Sequence, residues 1–253
     1  MDLHLKGKRA LVTGSTRGIG RAIASALLDE GASVAICGRD AAGVEHAVKS
    51  LGEKGKVVGA PVDVANGEAL RAWVADSAAA LGGLDIVVSN VSAGGGGRTS
   101  IEAWRQNFEV DMLGTVHTVE AALPFLEKSQ AGAITMISST AAVEAFRAPQ
   151  PYNVMKAGLI NYAKNLSIVL APKQIRVNTV CPGPIFFEGG AWENIKRNMP
   201  EVYQGTVSQI ALGRMGTAED VAAATLYLSS AVAGYVTGAN LILDGGFTKR
   251  VNF

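Results

Sequence analysis

The stretch that most restricts the fold of this chain is Thr13-Gly14-Ser15-Thr16-Arg17-Gly18-Ile19-Gly20. It follows a short apolar run at residues 9–13 (RALVT). It leads into RAIASALLDEG, whose spacing reads as a helix closed by Gly31. Glycines between a strand and a helix let the backbone turn tightly and approach a ligand closely. The helix N-terminus adds unpaired N–H groups and the positive end of a dipole. A Gly-rich turn alone is a weak sign. Inside the first strand–helix–strand unit it predicts a dinucleotide site formed by Gly14, Ser15, Thr16, Arg17, Gly18, Ile19 and Gly20.

The rest of the chain repeats this alternation. Further strands are expected at 33–38, 57–63, 84–89, 133–138, 175–181 and 240–243. Helices are expected at 40–51, at 66–81 with Asn66 as N-cap, and at 100–128 with Ser100 as cap and a restart near Gly114. Two more should cover 152–171 and 217–230, the last with Glu219 and Asp220 in its first turn. Residues 182–212 read as irregular, with one short helix. The strands are continuous apolar runs without period-2 alternation, so both sheet faces should be covered. The expectation is an α/β fold, a doubly wound parallel sheet of about seven strands in one domain over 1–253. No repeat or linker is visible, and residues 94–97, four glycines in a row, suit close backbone approach. The net charge of +1 argues against a nucleic-acid surface. Cys37 and Cys181 fall at strand ends without a spaced framework, which predicts buried reduced thiols. The N-terminus lacks the apolar stretch of a signal peptide and no run is long enough to span a bilayer, so a soluble cytoplasmic enzyme is expected.

Two side-chain groupings suggest chemistry. Tyr152 and Lys156 lie four apart on a helix preceded by Pro151 and followed by Pro172, and so share a face. A phenol is a poor acid or base at neutral pH, and a fixed cation beside it favours the phenolate. The pair could equally be a solvated surface pair if nothing else supported it. The second grouping is Arg39 at the end of the second strand, where an acid would favour NAD, together with Arg17 in the glycine turn. Guanidinium groups bind phosphate in a bidentate, charge-assisted way, so NADP(H) is favoured over NAD(H).

With these motifs in place, the chain resembles a short-chain dehydrogenase/reductase of the single-domain type, similar to 3-oxoacyl thioester reductases, over its whole length. The carriers are TGSTRGIG at 13–20, Asp63-Val64, Asn90, Ser139 thirteen residues before Tyr152, the Tyr152/Lys156 pair and Pro182-Gly183. The resemblance implies a Rossmann-type sheet and hydride transfer between nicotinamide and a carbonyl or secondary alcohol. Tyr152 would be the acid/base. Lys156 would assist it and hold the nicotinamide ribose, and Ser139 would hydrogen-bond the reacting oxygen. Asp63 and Val64 would flank adenine, Asn90 would line the adenosine ribose, and Pro182, Gly183 and Ile185 would face nicotinamide. The fourth catalytic position, usually Asn in Val-Asn-x-x-Gly, is Asp111 in Val110-Asp111-Met112-Leu113-Gly114. It could serve the proton relay to Lys156 or merely hold a helix kink. Ser89-Asn90-Val91-Ser92 departs from the usual Asn-Asn-Ala-Gly, and Met155 stands where Ser is common.

Two other readings are open. One is a 3-oxoacyl thioester reductase, for which Arg147 and Lys173 would form a basic rim. The other is an NADP-sensing protein without turnover, although such proteins commonly lose the tyrosine or lysine. A lid is expected over about 184–212, with Phe186, Phe187, Trp192 and, before it, Ser92 near the substrate and with Gly189 and Gly190 as a hinge. The three aromatics suggest an apolar pocket, unless they pack on a neighbouring subunit. His4, His46 and His117 are scattered, and no metal site is expected. Trp73 and Trp104 read as packing residues. Residues 101–128 and 152–171 look too apolar for one buried face each, and relatives pair such helices, so a homotetramer with two-fold symmetry is expected.

Overall fold

The computed structural model describes residues 2–95, 97, 99–145, 149–249 and 251. Seven strands form one parallel sheet in the order β3-β2-β1-β4-β5-β6-β9. They are β1 (Arg9–Val12), β2 (Ser33–Gly38), β3 (Val57–Pro61), β4 (Ile86–Ser89), β5 (Ala133–Ile137), β6 (Arg176–Pro182) and β9 (Asn240–Leu243). The additional strands β7 (Ile185–Phe186) and β8 (Gly216–Thr217) pair with each other outside this sheet. The apolar runs become strands because helices cover both faces: β1, β4 and β5 are almost entirely buried. One core cluster sets α1 (Gly18–Asp29) and α9 (Ala218–Ser229) against the sheet. The other sets α3 (Gly67–Leu81), α5 (Gly114–Leu126) and α6 (Pro151–Leu170) against the opposite face and includes Trp73.

The helix starts follow the expected caps. Asn66 accepts from Ala69 N, Ser100 from Ala103 N at the head of α4 (Ile101–Asn107), and Thr217 and Asp220 form a reciprocal capping box. Pro151 is the first residue of α6, where its missing N–H costs nothing. Two expectations are corrected. The restart near Gly114 is a single π-helical turn, Phe108–Leu113, inside an otherwise continuous helical path. The stretch 182–212 holds two short helices, α7 (Ala191–Asn198) and α8 (Pro200–Val207). Both are largely solvated and only eight residues long, too short for an apolar period to stand out in the sequence. Cys37 and Cys181 are free and buried, and burial pushes the Cys37 thiol up to about 12.

At the amino-terminal edge of the sheet, Asp85 ties β1 to β4. Arg9 donates to Asp85 through its backbone N (2.9 Å), Nε (2.8 Å) and Nη2 (2.9 Å), and Ser129 Oγ adds a fourth bond at 2.6 Å. Burial alone would raise this carboxyl, but the bonds from Arg9 and Ser129 hold it below the usual carboxylate range. A depressed folded value means that its stabilisation is present above the unfolded carboxylate range and is lost as pH falls. Asp85→Asn should therefore cost about 2 kcal/mol at pH 7. The gap in Tm between variant and wild type should close as pH drops below about 4. A gap independent of pH would contradict the charge-assisted role.

Candidate active site

The expected site residues collect at the carboxyl ends of the strands, where β1 and β4 lie side by side and the strand order reverses. In open α/β sheets this switch point is where ligands bind. The glycine turn follows β1, Arg39 follows β2 and Asp63 stands just past β3. Asn90, Ser139 and Gly183 follow β4, β5 and β6.

The turn is shaped for close approach. Gly14 and Gly18 adopt φ of +61° and +55°, and a methyl on Gly14 would come within 2.7 Å of Val91 Cγ2. Asn90 locks the turn to the sheet: its Nδ2 donates to Thr13 O (3.1 Å) and Gly14 O (3.0 Å), and its backbone N donates to Thr13 Oγ1 (3.0 Å). Ser15 Oγ donates to Val12 O and accepts from Cys37 N. Unlike the helices capped by Asp40, Asn66, Ser100 and Thr217, α1 has no side chain on its first N–H groups. Those donors fit a pyrophosphate. Thr16 packs against Gly38 at the end of β2, so exposed Arg17 and Arg39 each stand one residue from that contact. Asp40, next to Arg39, caps α2 (Ala41–Gly52), accepting from Gly43 N at 2.8 Å. Asp63 is exposed and accepts from Ala65 N, while Val64 is buried against Gly114.

Tyr152 and Lys156 share the sheet-facing side of the first turns of α6. Lys156 is only 2% exposed, with Nζ 5.8 Å from the Tyr152 ring centre. Nζ donates to Ile137 O (3.1 Å) and stands 3.1 Å from Asp111 Oδ1, a close ion pair off the hydrogen-bond direction. Asp111 is fully buried, and its Oδ2 accepts from Ala93 N at 2.8 Å. The π turn brings it there. Thr115 Oγ1 donates to Asp111 O (2.8 Å) and also pairs with Ser89 Oγ (2.8 Å). Gly158 lets α6 lie close, since a methyl there would reach 2.5 Å from Met112 Cε. A buried ammonium needs a counter-charge, and Asp111 supplies it directly. Ser139 Oγ accepts from Ala141 N at 3.1 Å, which leaves its proton to donate. Ser138 Oγ holds the Lys156 carbonyl at 2.8 Å. Burial raises the Cys181 thiol, and Sγ donates to Asn240 Oδ1 at 2.9 Å.

Not every expected residue joins this cluster. Ser92 is exposed and spends Oγ on a local turn, accepting from Gly94 N. Phe186 meets Tyr203 edge to face at 6.2 Å, with Lys196 Nζ 5.3 Å from its ring. Phe187 lies over Gly18 and Gly190, and Arg17 Nη1 donates to Gly189 O at 3.3 Å. Trp192 is half-buried in α7 rather than in an exposed loop. Phe186 and Phe187 are engaged elsewhere and do not line the cavity against Tyr152. Beside Tyr152 that cavity is lined by Ala93, Gly94, Gly95, Ala103, Gln106, Asn107, Gln150 and Pro151. Of these, sequence reading missed Asn107, whose only signal was an amide on the buried side of a helix. Lys173 is no rim residue. It lies beyond the far end of α6, a helix of about 30 Å, and pairs with Glu127 at 2.6 Å. Arg147, like Gly96 and Arg98, falls outside the described residues. His4 pairs with Asp2 and His117 with Arg71, and no cluster of three metal-ligating side chains occurs among the described residues.

A family described as enoyl-(acyl carrier protein) reductase matches residues 14–248. Isoepoxydon dehydrogenase patN of Penicillium expansum is 37% identical, over 98% of both chains. Dehydrogenase/reductase SDR family member 4 of Sus scrofa is 35% identical, over 98% of this chain and 89% of its own. The crystal structure of L-sorbose reductase from Gluconobacter frateurii, complexed with NADPH and L-sorbose, superposes with a TM-score of 0.91. It is 30% identical and covers 99% of this chain and 100% of its own. The switch-point glycine turn, the Ser139/Tyr152/Lys156 constellation and these full-length likenesses agree: the chain belongs to the short-chain dehydrogenase/reductase family, nicotinamide-dependent oxidoreductases that transfer hydride.

Proposed function

We propose that this chain is an NADP(H)-dependent reductase or dehydrogenase of a small carbonyl or secondary alcohol, with Tyr152 as the acid/base. The observation that carries the reading is the buried Lys156–Asp111 pair beside Tyr152. The bound nicotinamide would supply or accept the hydride. Gly14, Ser15, Thr16, Gly18, Ile19 and Gly20 would hold its pyrophosphate, Asp63 and Val64 its adenine, and Pro182, Gly183 and Ile185 its far end. Lys156 has three N–H donors. One goes to Ile137 O, Asp111 faces the ammonium as its counter-charge, and a remaining donor would serve the nicotinamide ribose. In reduction, Tyr152 gives its proton to the substrate oxygen while Ser139 donates to the same atom as charge builds on it. Oxidation reverses both. The segment 184–212 acts as the lid of this single domain and keeps water from the reacting atoms. NADPH oxidation against a carbonyl panel tests the reading. Binding of NADPH with no turnover on any of them would favour a sensing protein.

The preference for NADP rests on Arg17 and Arg39 beside a capped Asp40. Arg39→Asp should weaken NADPH binding by about tenfold or more and improve the use of NADH. A wild type that already prefers NADH would contradict it. We also propose a homotetramer. Phe108, Val154, Ile168 and Val169 are exposed along the helices of one face, the last two at 67%. Sedimentation at micromolar concentration should give four chains, and a stable monomer would refute this. No described helix is long and apolar enough to cross a membrane, and two buried free thiols suit a reducing compartment, so we assign the enzyme to the cytoplasm.

A further inference from the structure

Asn107 closes α4, one turn before Asp111, and is 4% exposed. Its Nδ2 donates to Ala103 O at 3.0 Å. A carbonyl only accepts, so this bond fixes which way the amide faces and sends Oδ1 the other way. Oδ1 is buried and has no hydrogen-bond partner among the described residues. An acceptor left so in the working enzyme would carry its full desolvation cost. Asn107 lines the cavity that Tyr152 also lines, together with Gly94, Gly95 and Gln150. Gln150 Oε1 accepts from Gly97 N at 3.1 Å, and Asn107 Oδ1 is a buried side-chain acceptor of a wall residue with no partner among the described residues. The free space is about 10 Å³, the room of one water and therefore of one hydroxyl group.

We propose that Asn107 determines specificity by accepting a hydrogen bond from a hydroxyl of the substrate, so that this site takes a hydroxylated ketone, or the matching diol, over a plain aliphatic one. The inference rests on the redox reading of Tyr152. A site built to pair a hydroxyl rejects an analogue that lacks it, because the buried acceptor is then stranded.

The test compares cyclohexanone with 2-, 3- and 4-hydroxycyclohexanone and their methyl ethers, using NADPH, wild type and Asn107→Leu. In wild type, kcat/KM for at least one hydroxy isomer should exceed that for cyclohexanone by about tenfold or more. The ether of that isomer, which cannot donate, should lose the advantage. Asn107→Leu should bring the ratio near one by raising KM for the hydroxy isomer. The ether comparison needs no variant and holds if Asn107→Leu fails to fold. Turnover of cyclohexanone without preference in wild type, equal use of hydroxy and methoxy isomers, or an unchanged ratio in the variant would overturn this inference alone. NADPH binding with no turnover of any ketone would overturn the redox reading and this one with it.

Discussion

Tyr152→Phe should lower kcat by about a thousandfold while NADPH binds within about twofold of wild type. The ring would keep its place in the first turn of α6 and its position 5.8 Å from Lys156 Nζ, since nothing but the hydroxyl is lost. Ser139 still offers its proton to the substrate oxygen as a hydrogen bond, but no group remains to transfer one. The loss should therefore fall on kcat and kcat/KM alike, as for an interaction made in the transition state. Near-normal turnover would remove Tyr152 from the mechanism.

The second large effect is expected at Asp111, a positioning residue that acts through Lys156. Asp111→Leu leaves the buried Lys156 ammonium with Ile137 O alone and strands the Ala93 N–H. Removing one partner of a buried pair costs about 3–5 kcal/mol. A fall in Tm of roughly 10 °C should accompany a loss in kcat of about a hundredfold or more. Asp111→Asn is the sharper probe. Its one amide oxygen can serve Ala93 N or Lys156, not both, and the charge is gone. We expect a smaller loss of stability, kcat down by about tenfold and a raised KM for NADPH, since Lys156 would be the ribose donor. If both variants match wild type in kcat and KM and differ only in Tm, Asp111 serves the helix turn and nothing else.

The sheet was legible because most of its strands are short apolar runs, with β6, which carries Arg176, Asn178 and Thr179, as the polar exception. The limits of β2 and β9 match the reading at both ends. Asn66, Ser100 and Thr217 were readable because a cap is a local bond between neighbours in sequence. Tyr152 and Lys156 were readable because helical spacing sets their common face. The π turn was not, since one inserted residue does not disturb an apolar pattern enough to show. Yet that turn brings Asp111 to Lys156. The short helices α7 and α8 were half missed because eight residues are too few for an apolar period to show. Lys173 was misplaced because a residue number says nothing about which end of a 20-residue helix faces the site. Asn107 was invisible because only three-dimensional packing reveals that its oxygen is buried without a partner.

The most direct test of the central claim follows a deuterium atom. Wild type and Tyr152→Phe are each mixed with a carbonyl substrate and NADPH deuterated at the transferred position of nicotinamide, and the product is read by mass spectrometry. Both proteins should bind the cofactor. Wild type should place one deuterium on the carbinol carbon per turnover, and the variant should form that product about a thousandfold more slowly. Product without deuterium, or deuterium transfer by the variant at the wild-type rate, would contradict the account.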